Sequence, residues 1–240
     1  MKRVLAIVRR ELQSSFDSPV AYAVILGFLV FNAAWLYFVR GFFALNQADL
    51  RPYFGTMPIV LAFLAPALTM RSWAEERRLG TYELLLTMPF SESELVAGKF
   101  LSSLAVAAIA LALTIAVPLT ASLLGSFDAG ILAAQYAGIL LVAGASLAIG
   151  QWVSSLAKNQ VSAFLGAVLL LLCLVLVDSV SSFLRVGGTA AALLNWFSLS
   201  FHFEAFSRGV VDTRDLGFFV AVSAAFLYLS TWNLSRRKWS

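Results

Sequence analysis

Six stretches of this chain run for about twenty residues without Asp, Glu, Lys or Arg: residues 19–39, 52–70, 100–127, 129–157, 159–177 and 216–235. A helix needs roughly 20 mostly apolar residues to cross a hydrocarbon core of about 30 Å. Each stretch is therefore long enough to span, and too apolar for a surface helix. A helix also satisfies its own backbone hydrogen bonds in lipid, whereas a barrel would show segments of alternating polarity. The fold class that follows is all-α: a polytopic membrane protein with six transmembrane helices in one domain covering residues 1–240. Composition excludes the alternatives. The chain is 60% hydrophobic and 12% charged, too apolar for disorder or for a soluble domain. Cys173 has no second cysteine to pair with, which removes a disulfide framework. Its apolar neighbours make it a small buried hydrophobe.

Orientation follows from the basic residues. Residues 186–203 form a seventh charge-free stretch, but Gly187, Gly188, Asn195 and His202 make it a poor lipid-facing helix. It reads as an interfacial or re-entrant segment on the outer side. With six spans, the inner segments hold Lys2, Arg3, Arg9, Arg10, Arg71, Arg77, Arg78, Lys99, Lys158, Arg236, Arg237 and Lys238. That is twelve of the 17 basic residues, the asymmetry expected of cytoplasmic loops. Both termini are thus expected in the cytoplasm. The net charge of +4 is accounted for without nucleic acid. No cleavable signal peptide is expected, since the apolar run at Val4–Val8 is short and meets Arg9 and Arg10 at once. Residues 1–18 instead predict an amphipathic helix on the inner surface. Val4, Leu5, Val8, Leu12 and Phe16 share one face, with Lys2, Arg3, Arg9, Arg10 and Gln13 opposite; a plain basic flank is the alternative. Start signals punctuate the chain at Ser18-Pro19, at Ser91-x-x-Glu94 after Pro89, and at Asp212-x-x-Asp215.

The catalytic inventory is thin. One histidine rules out sites built from several. No H-E-x-x-H occurs, and Gly98-Lys99 is followed by Phe100, so no phosphate-binding P-loop is present. The chain is expected to bind neither metal nor cofactor and to hold no catalytic residue. His202 and Glu204 would make a proton-handling pair, though a solvated outer loop is the plainer reading. Asp178 is expected to reach water from the end of the fifth span, and Asn32 to bond between helices in the first. Buried ionisable groups, the mark of an ion-driven carrier, are nearly missing from the spans.

The informative segment lies between the second and third spans, residues 71–99. On a helix, Leu79, Tyr82, Leu85 and Leu86 form an apolar stripe, with Glu76, Gly80, Glu83 and Thr87 on another face. A short helix of this kind asks for a protein partner or the membrane interface, and a solvated loop is the alternative. Here the chain resembles the permease subunits of ATP-binding-cassette exporters of type 2, in particular those of the gliding-motility type. The resemblance is carried by Arg10-Glu11 through Ser18-Pro19-Val20-Ala21-Tyr22, by Pro66–Arg71 running into Ala74-Glu75-Glu76-Arg77-Arg78-Leu79-Gly80-Thr81-Tyr82-Glu83-Leu84-Leu85, by Ser154-Ser155-Leu156 with Asn159-Gln160, and by Phe206–Leu216 with the basic tail.

The resemblance implies that the segment is a coupling helix docking into a separate nucleotide-binding ATPase subunit, through Glu75, Glu76, Arg78, Gly80, Thr81, Glu83 and Leu84. It implies a second cytoplasmic contact at Lys158, Asn159 and Gln160. It also implies an outer segment, residues 184–215, whose Arg208, Asp212, Arg214 and Asp215 gate the exit or touch an accessory subunit. ATP and Mg would be bound by the partner, this chain being the non-catalytic subunit in a bacterial cytoplasmic (inner) membrane. Permeases of this family work in pairs, so a second copy or a paralogue is implied, and sometimes an accessory membrane subunit with an extracytoplasmic domain. Export is the expected outcome; force transmission to an extracytoplasmic partner is the alternative, with a secondary carrier as the third reading.

Overall fold

The computed structural model describes residues 2–39, 50–81, 90–122, 128–183 and 188–237, and among them it contains helices and no strand. In chain order these are α1 (Lys2–Asp17), α2 (Pro19–Ala34, continued by a π-helical turn over Trp35–Val39), α3 (Arg51–Thr69), α4 (Ala74–Leu79), α5 (Glu92–Leu113) and α6 (Ala116–Ser122). They are followed by α7 (Ala129–Leu156), α8 (Gln160–Phe183), α9 (Gly188–Trp196), α10 (Leu199–Ser207) and α11 (Thr213–Arg237). Six helical stretches are long and apolar enough to cross a membrane: Pro19–Tyr37, Arg51–Leu79, Glu92–Ser122, Ala129–Leu156, Gln160–Phe183 and Thr213–Arg236. The chain is a multi-pass membrane protein.

The starts obey the capping signals. Ser18 Oγ accepts from the Val20 amide before α2, with Pro19 at the first position. Ser91 and Glu94 form a reciprocal capping box, and Asp212 Oδ1 accepts from the Arg214 amide at 2.9 Å. Two consequences depart from the sequence reading. The capping box starts the third span at Glu92, not at residue 100, so Lys99 lies two turns inside the helix on its buried face. The same span is interrupted at Thr114–Ile115. Pro118 explains the break, because its ring clashes with the carbonyl four residues earlier and it has no amide hydrogen to donate.

The core is organised around α7, which packs on α3, α5, α8, α10 and α11. Its Ile139, Val142, Leu147 and Ile149 are buried against Tyr53, Phe54, Met57 and Leu61 of α3. Small residues permit the approach: a Cβ on Gly150 would overlap the Thr69 hydroxyl, and one on Gly138 would stand 2.5 Å from Phe206 Cβ. Close approach through small residues is the usual way helices pack in lipid, where apolar burial supplies little drive. The outer faces of α2, α8 and α11 carry exposed Leu26, Leu169 and Tyr228. Cys173 lies on such a face and is exposed, not buried as its composition suggested.

A second, smaller cluster joins Ile7 of α1, Trp73, Leu95 and Val96 of α5, and Leu234 of α11. α1 and the last turns of α11 therefore meet at one end of the bundle. The face α1 uses is turned slightly from the one the sequence suggested. Ile7 is its buried residue, pressed on Gly98, whereas Leu5 points away.

Candidate functional site

At the end where α1 meets the last turns of α11, the chain leaves α3, makes a tight turn and enters α4. This helix is short for a definite reason. Gly80 adopts φ 70°, its amide bonds to Arg77 O at 3.2 Å, and the Thr81 amide bonds to Glu76 O at 3.0 Å. Paired bonds of this form around a left-handed glycine close a helix C-terminus. The stripe drawn from Leu79 through Leu86 on one continuous helix is therefore interrupted after Leu79. Tyr82, Glu83, Leu84, Leu85 and Leu86 lie outside the described residues.

The root of α4 is fixed to α7. Ser154 Oγ accepts from the amides of Trp73 (3.2 Å) and Ala74 (3.3 Å) and donates to Met70 O at 3.2 Å. Arg77 donates through Nη1 to Ala157 O at 2.9 Å and through Nη2 to Ser155 O. Asn233 of α11 donates to the same Ser155 carbonyl at 3.0 Å. The turn between α7 and α8 is thereby clamped to the α4 segment, and the two stretches form one surface. Lys158 and Asn159 are exposed, as are Arg78, Leu79, Gly80 and Thr81, and the link between the two stretches is the Arg77 bond to Ala157 O. Asn159 also caps α8, accepting from the Ser162 amide at 2.8 Å, while Gln160 begins that helix.

The inner face of α4 is electrostatic. Lys99 Nζ, 3% exposed, lies 2.7 Å from Glu76 Oε1 and 3.1 Å from Glu11 Oε1, and 5.2 Å from the centre of the Trp73 ring. One ammonium thus ties α1, α4 and α5 together. Arg71 bonds Ser18 Oγ at 3.0 Å and sits 3.7 Å from Glu75. These groups line a cleft of about 620 Å³ between α1, α2, α3, α4 and α5.

The structure thus separates the residues that the family resemblance groups as one dock. Glu75, Glu76 and Thr81 line the chain's own cleft, Arg78 and Gly80 are exposed and do not line it, and Glu83 and Leu84 lie outside the described residues. Sequence reasoning missed Arg77, Lys99 and Ser154 as the residues that hold the segment. The available signal was Lys99 itself, a lysine seven residues into a capped apolar helix. Among the described residues, no three His, Cys, Asp or Glu side chains come together as a metal site.

At the opposite end, residues 188–207 form two short helices in place of the single segment expected. His202 is buried, not solvated, and its partner is Asp215 rather than Glu204. Nδ1 lies 2.7 Å from Asp215 Oδ1 and Nε2 lies 3.1 Å from Trp196 O, with the ring stacked 3.8 Å from that of Phe218. Helical spacing turns His202, Phe203 and Phe206 inward together, which leaves Glu204 outside facing Arg208 at 3.8 Å. Arg208, Asp212 and Arg214 are exposed, so of the four outer residues only Asp215 is committed inward. Asp178 does not simply reach water: its Oδ1 is shut off from solvent without a partner among the described residues. Asn32 bonds Phe28 O of its own helix at 2.7 Å, not a neighbouring helix. Replacing His202 with Leu strands Asp215, and the melting temperature in detergent is expected to fall by an amount equivalent to about 2 kcal/mol. His202→Leu/Asp215→Asn should recover part of that loss.

No curated protein matches the sequence. The family model described as ABC-2 family transporter protein matches residues 5–239. With that match over nearly the whole chain and the six membrane-crossing helices, the protein belongs to the ABC-2 transporter family as a permease component, a kind of subunit that pairs with an ATP-binding one.

Proposed function

We propose that this permease converts ATP hydrolysis by a separate nucleotide-binding subunit into export across a bacterial cytoplasmic membrane. Both termini, α4 and the α7–α8 turn then lie on the cytoplasmic side. ATP and Mg are held by the partner, and a second permease copy or paralogue completes the membrane unit. Gliding-motility-type systems are the relatives it resembles, and an accessory subunit would meet the exposed Arg208, Asp212 and Arg214.

One observation carries this reading. The tip Arg78–Thr81 is exposed, while the root of the same segment is locked to α5, α7 and α11 by Lys99, Arg77, Ser154 and Asn233. A rigidly rooted, exposed tip that carries the charge of Arg78 and the apolar Leu79 at the mouth of the cleft suits a docking surface: charge sets register and apolar area supplies affinity. The polar cleft between the first three spans favours export over force transmission alone, which requires no cavity.

The test is co-purification with the ATP-binding subunit that pairs with this permease. Arg78→Glu with Leu79→Asp is expected to weaken the complex at least about tenfold while leaving the permease's own melting temperature in place. Glu83→Arg should act in the same direction. Undiminished co-purification and ATP turnover in both variants would remove the docking assignment.

A further inference from the structure

At the end opposite α4, one imidazole faces two acceptors. His202, 1% exposed, sets Nε2 3.1 Å from Trp196 O and Nδ1 2.7 Å from Asp215 Oδ1. A carbonyl oxygen only accepts, and so does an ionised carboxylate, whereas a neutral ring owns a single N–H. A neutral ring beside an ionised Asp215 therefore makes one of these bonds and turns a lone pair on an oxygen at the other. Both bonds form only when the pair holds one further proton, on the ring or on the carboxyl. The elements packed on α10 are α3, α7, α8, α9 and α11, and their ionisable groups at this end lie apart from that exchange. α9 has none. Arg51 of α3, Asp128 at the cap of α7, and Asp212 and Arg214 at the start of α11 are exposed, as are Glu204 and Arg208 on either side of the α10 C-terminus. Tyr53 of α3 is buried and Asp178 of α8 half-buried, and the ion contact of His202 is with Asp215.

What the pair holds is α9. No residue of that helix is buried. Its C-terminal end is tied by the Trp196 carbonyl on His202, by Ser181 Oγ on Asn195 Oδ1 at 2.9 Å, and by the Trp196 ring edge-on to Phe218 at 6.1 Å. α10 is seated independently by Leu199, Phe203 and Phe206 in the core. We propose that His202 and Asp215 form a proton-dependent latch: with the shared proton α9 is held down on α10 and α11, and without it α9 swings away from an α10 that stays in place. Water completes the released state. The neutral ring then donates from Nδ1 to the ionised Asp215 and accepts from a water at Nε2, so every group is satisfied with one proton fewer. The sign follows from that count. The seated state binds one proton more than the released one, so seating is favoured at low pH and lost as pH rises. Histidine is the side chain suited to such an exchange near neutrality. Placing this end outside the cytoplasm rests on the functional reading above. The latch needs no ATPase, so either can fail while the other stands.

Hydrogen exchange on the purified full-length permease in detergent tests this across about pH 6 to 9. Rates are corrected for the intrinsic pH dependence of amide exchange and referred to peptides from α7. The amides of Phe197 and Ser198 bond to Leu194 O and Asn195 O, so they report on the latched end of α9. In the wild type their protection is expected to fall by up to about tenfold for each pH unit, the slope of one proton, while α7 holds steady. Asp215→Asn separates a latch from a merely structural bond. Its amide nitrogen, in the place of a carboxylate oxygen, can donate to a bare Nδ1, so the neutral ring makes both bonds without the further proton. Protection at high pH is then expected to match that of the wild type at low pH, with the slope gone. His202→Phe should give low protection at every pH. A flat wild-type profile, or a wild-type slope that survives in Asp215→Asn, would overturn the proposal. If α7 also loses protection in that variant, the wild-type slope alone decides.

Discussion

Lys99→Ala is expected to cost about 3–5 kcal/mol of stability, the usual penalty for removing one partner of a buried ion pair. The size follows from what the substitution leaves behind. Glu76 and Glu11 lose their shared counter-charge, and Trp73 loses the cation beside its ring. Three elements then part company at one point, since the ammonium was the link between α1, α4 and α5. Thermal unfolding in detergent measures the loss, and Lys99→Ala/Glu76→Gln should recover part of it, with Glu76→Gln as the other single variant. The shortfall between the double variant and the sum of the singles gives the coupling.

Gly138→Val is expected to be nearly as damaging, by overpacking. Its Cβ would stand 2.5 Å from Phe206 Cβ, 2.6 Å from Phe206 Cγ and 3.1 Å from Phe203 Cε2. The first of these atoms is attached directly to backbone, so no rotamer change relieves the clash and α10 must lift from α7. With it would go the Gln135 bond to Ser207 O, 2.8 Å long, and the seat of His202. A loss of about 3 kcal/mol is expected, at the upper end for forced insertions into a packed core. Gly217→Val is the control, because no atom lies within 4 Å of a Cβ built there. Equal melting temperatures for the two variants would show that α10 does not seat on α7 as described.

Much of the bundle was legible because lipid leaves so few options. Charge-free length alone located the spans, and Ser18, Ser91 and Asp212 marked where three helices begin. What escaped depended on single residues acting at a distance along the chain. Pro118 breaks the third span within a run of unbroken hydrophobicity. Gly80 halts α4 where an apolar periodicity continues in the letters. Lys99 read as a loop cation because charge near a span end is usually solvated, and only its neighbours in space, Glu11 and Glu76, show otherwise. His202 suggested Glu204, two positions on, when helical spacing sends those side chains to different sides and brings Asp215 round from the next helix. The link between α4 and the α7–α8 turn was illegible for the same reason. It is made by Arg77 reaching two carbonyls on another hairpin.

That reach has a mechanical corollary. A pull on the exposed tip does not travel up α3 alone, for Arg77 and Ser154 pass the load sideways into the backbone where α7 ends, and Asn233 hands part of it to the last helix. Three membrane crossings would therefore be dragged as one stiff piece.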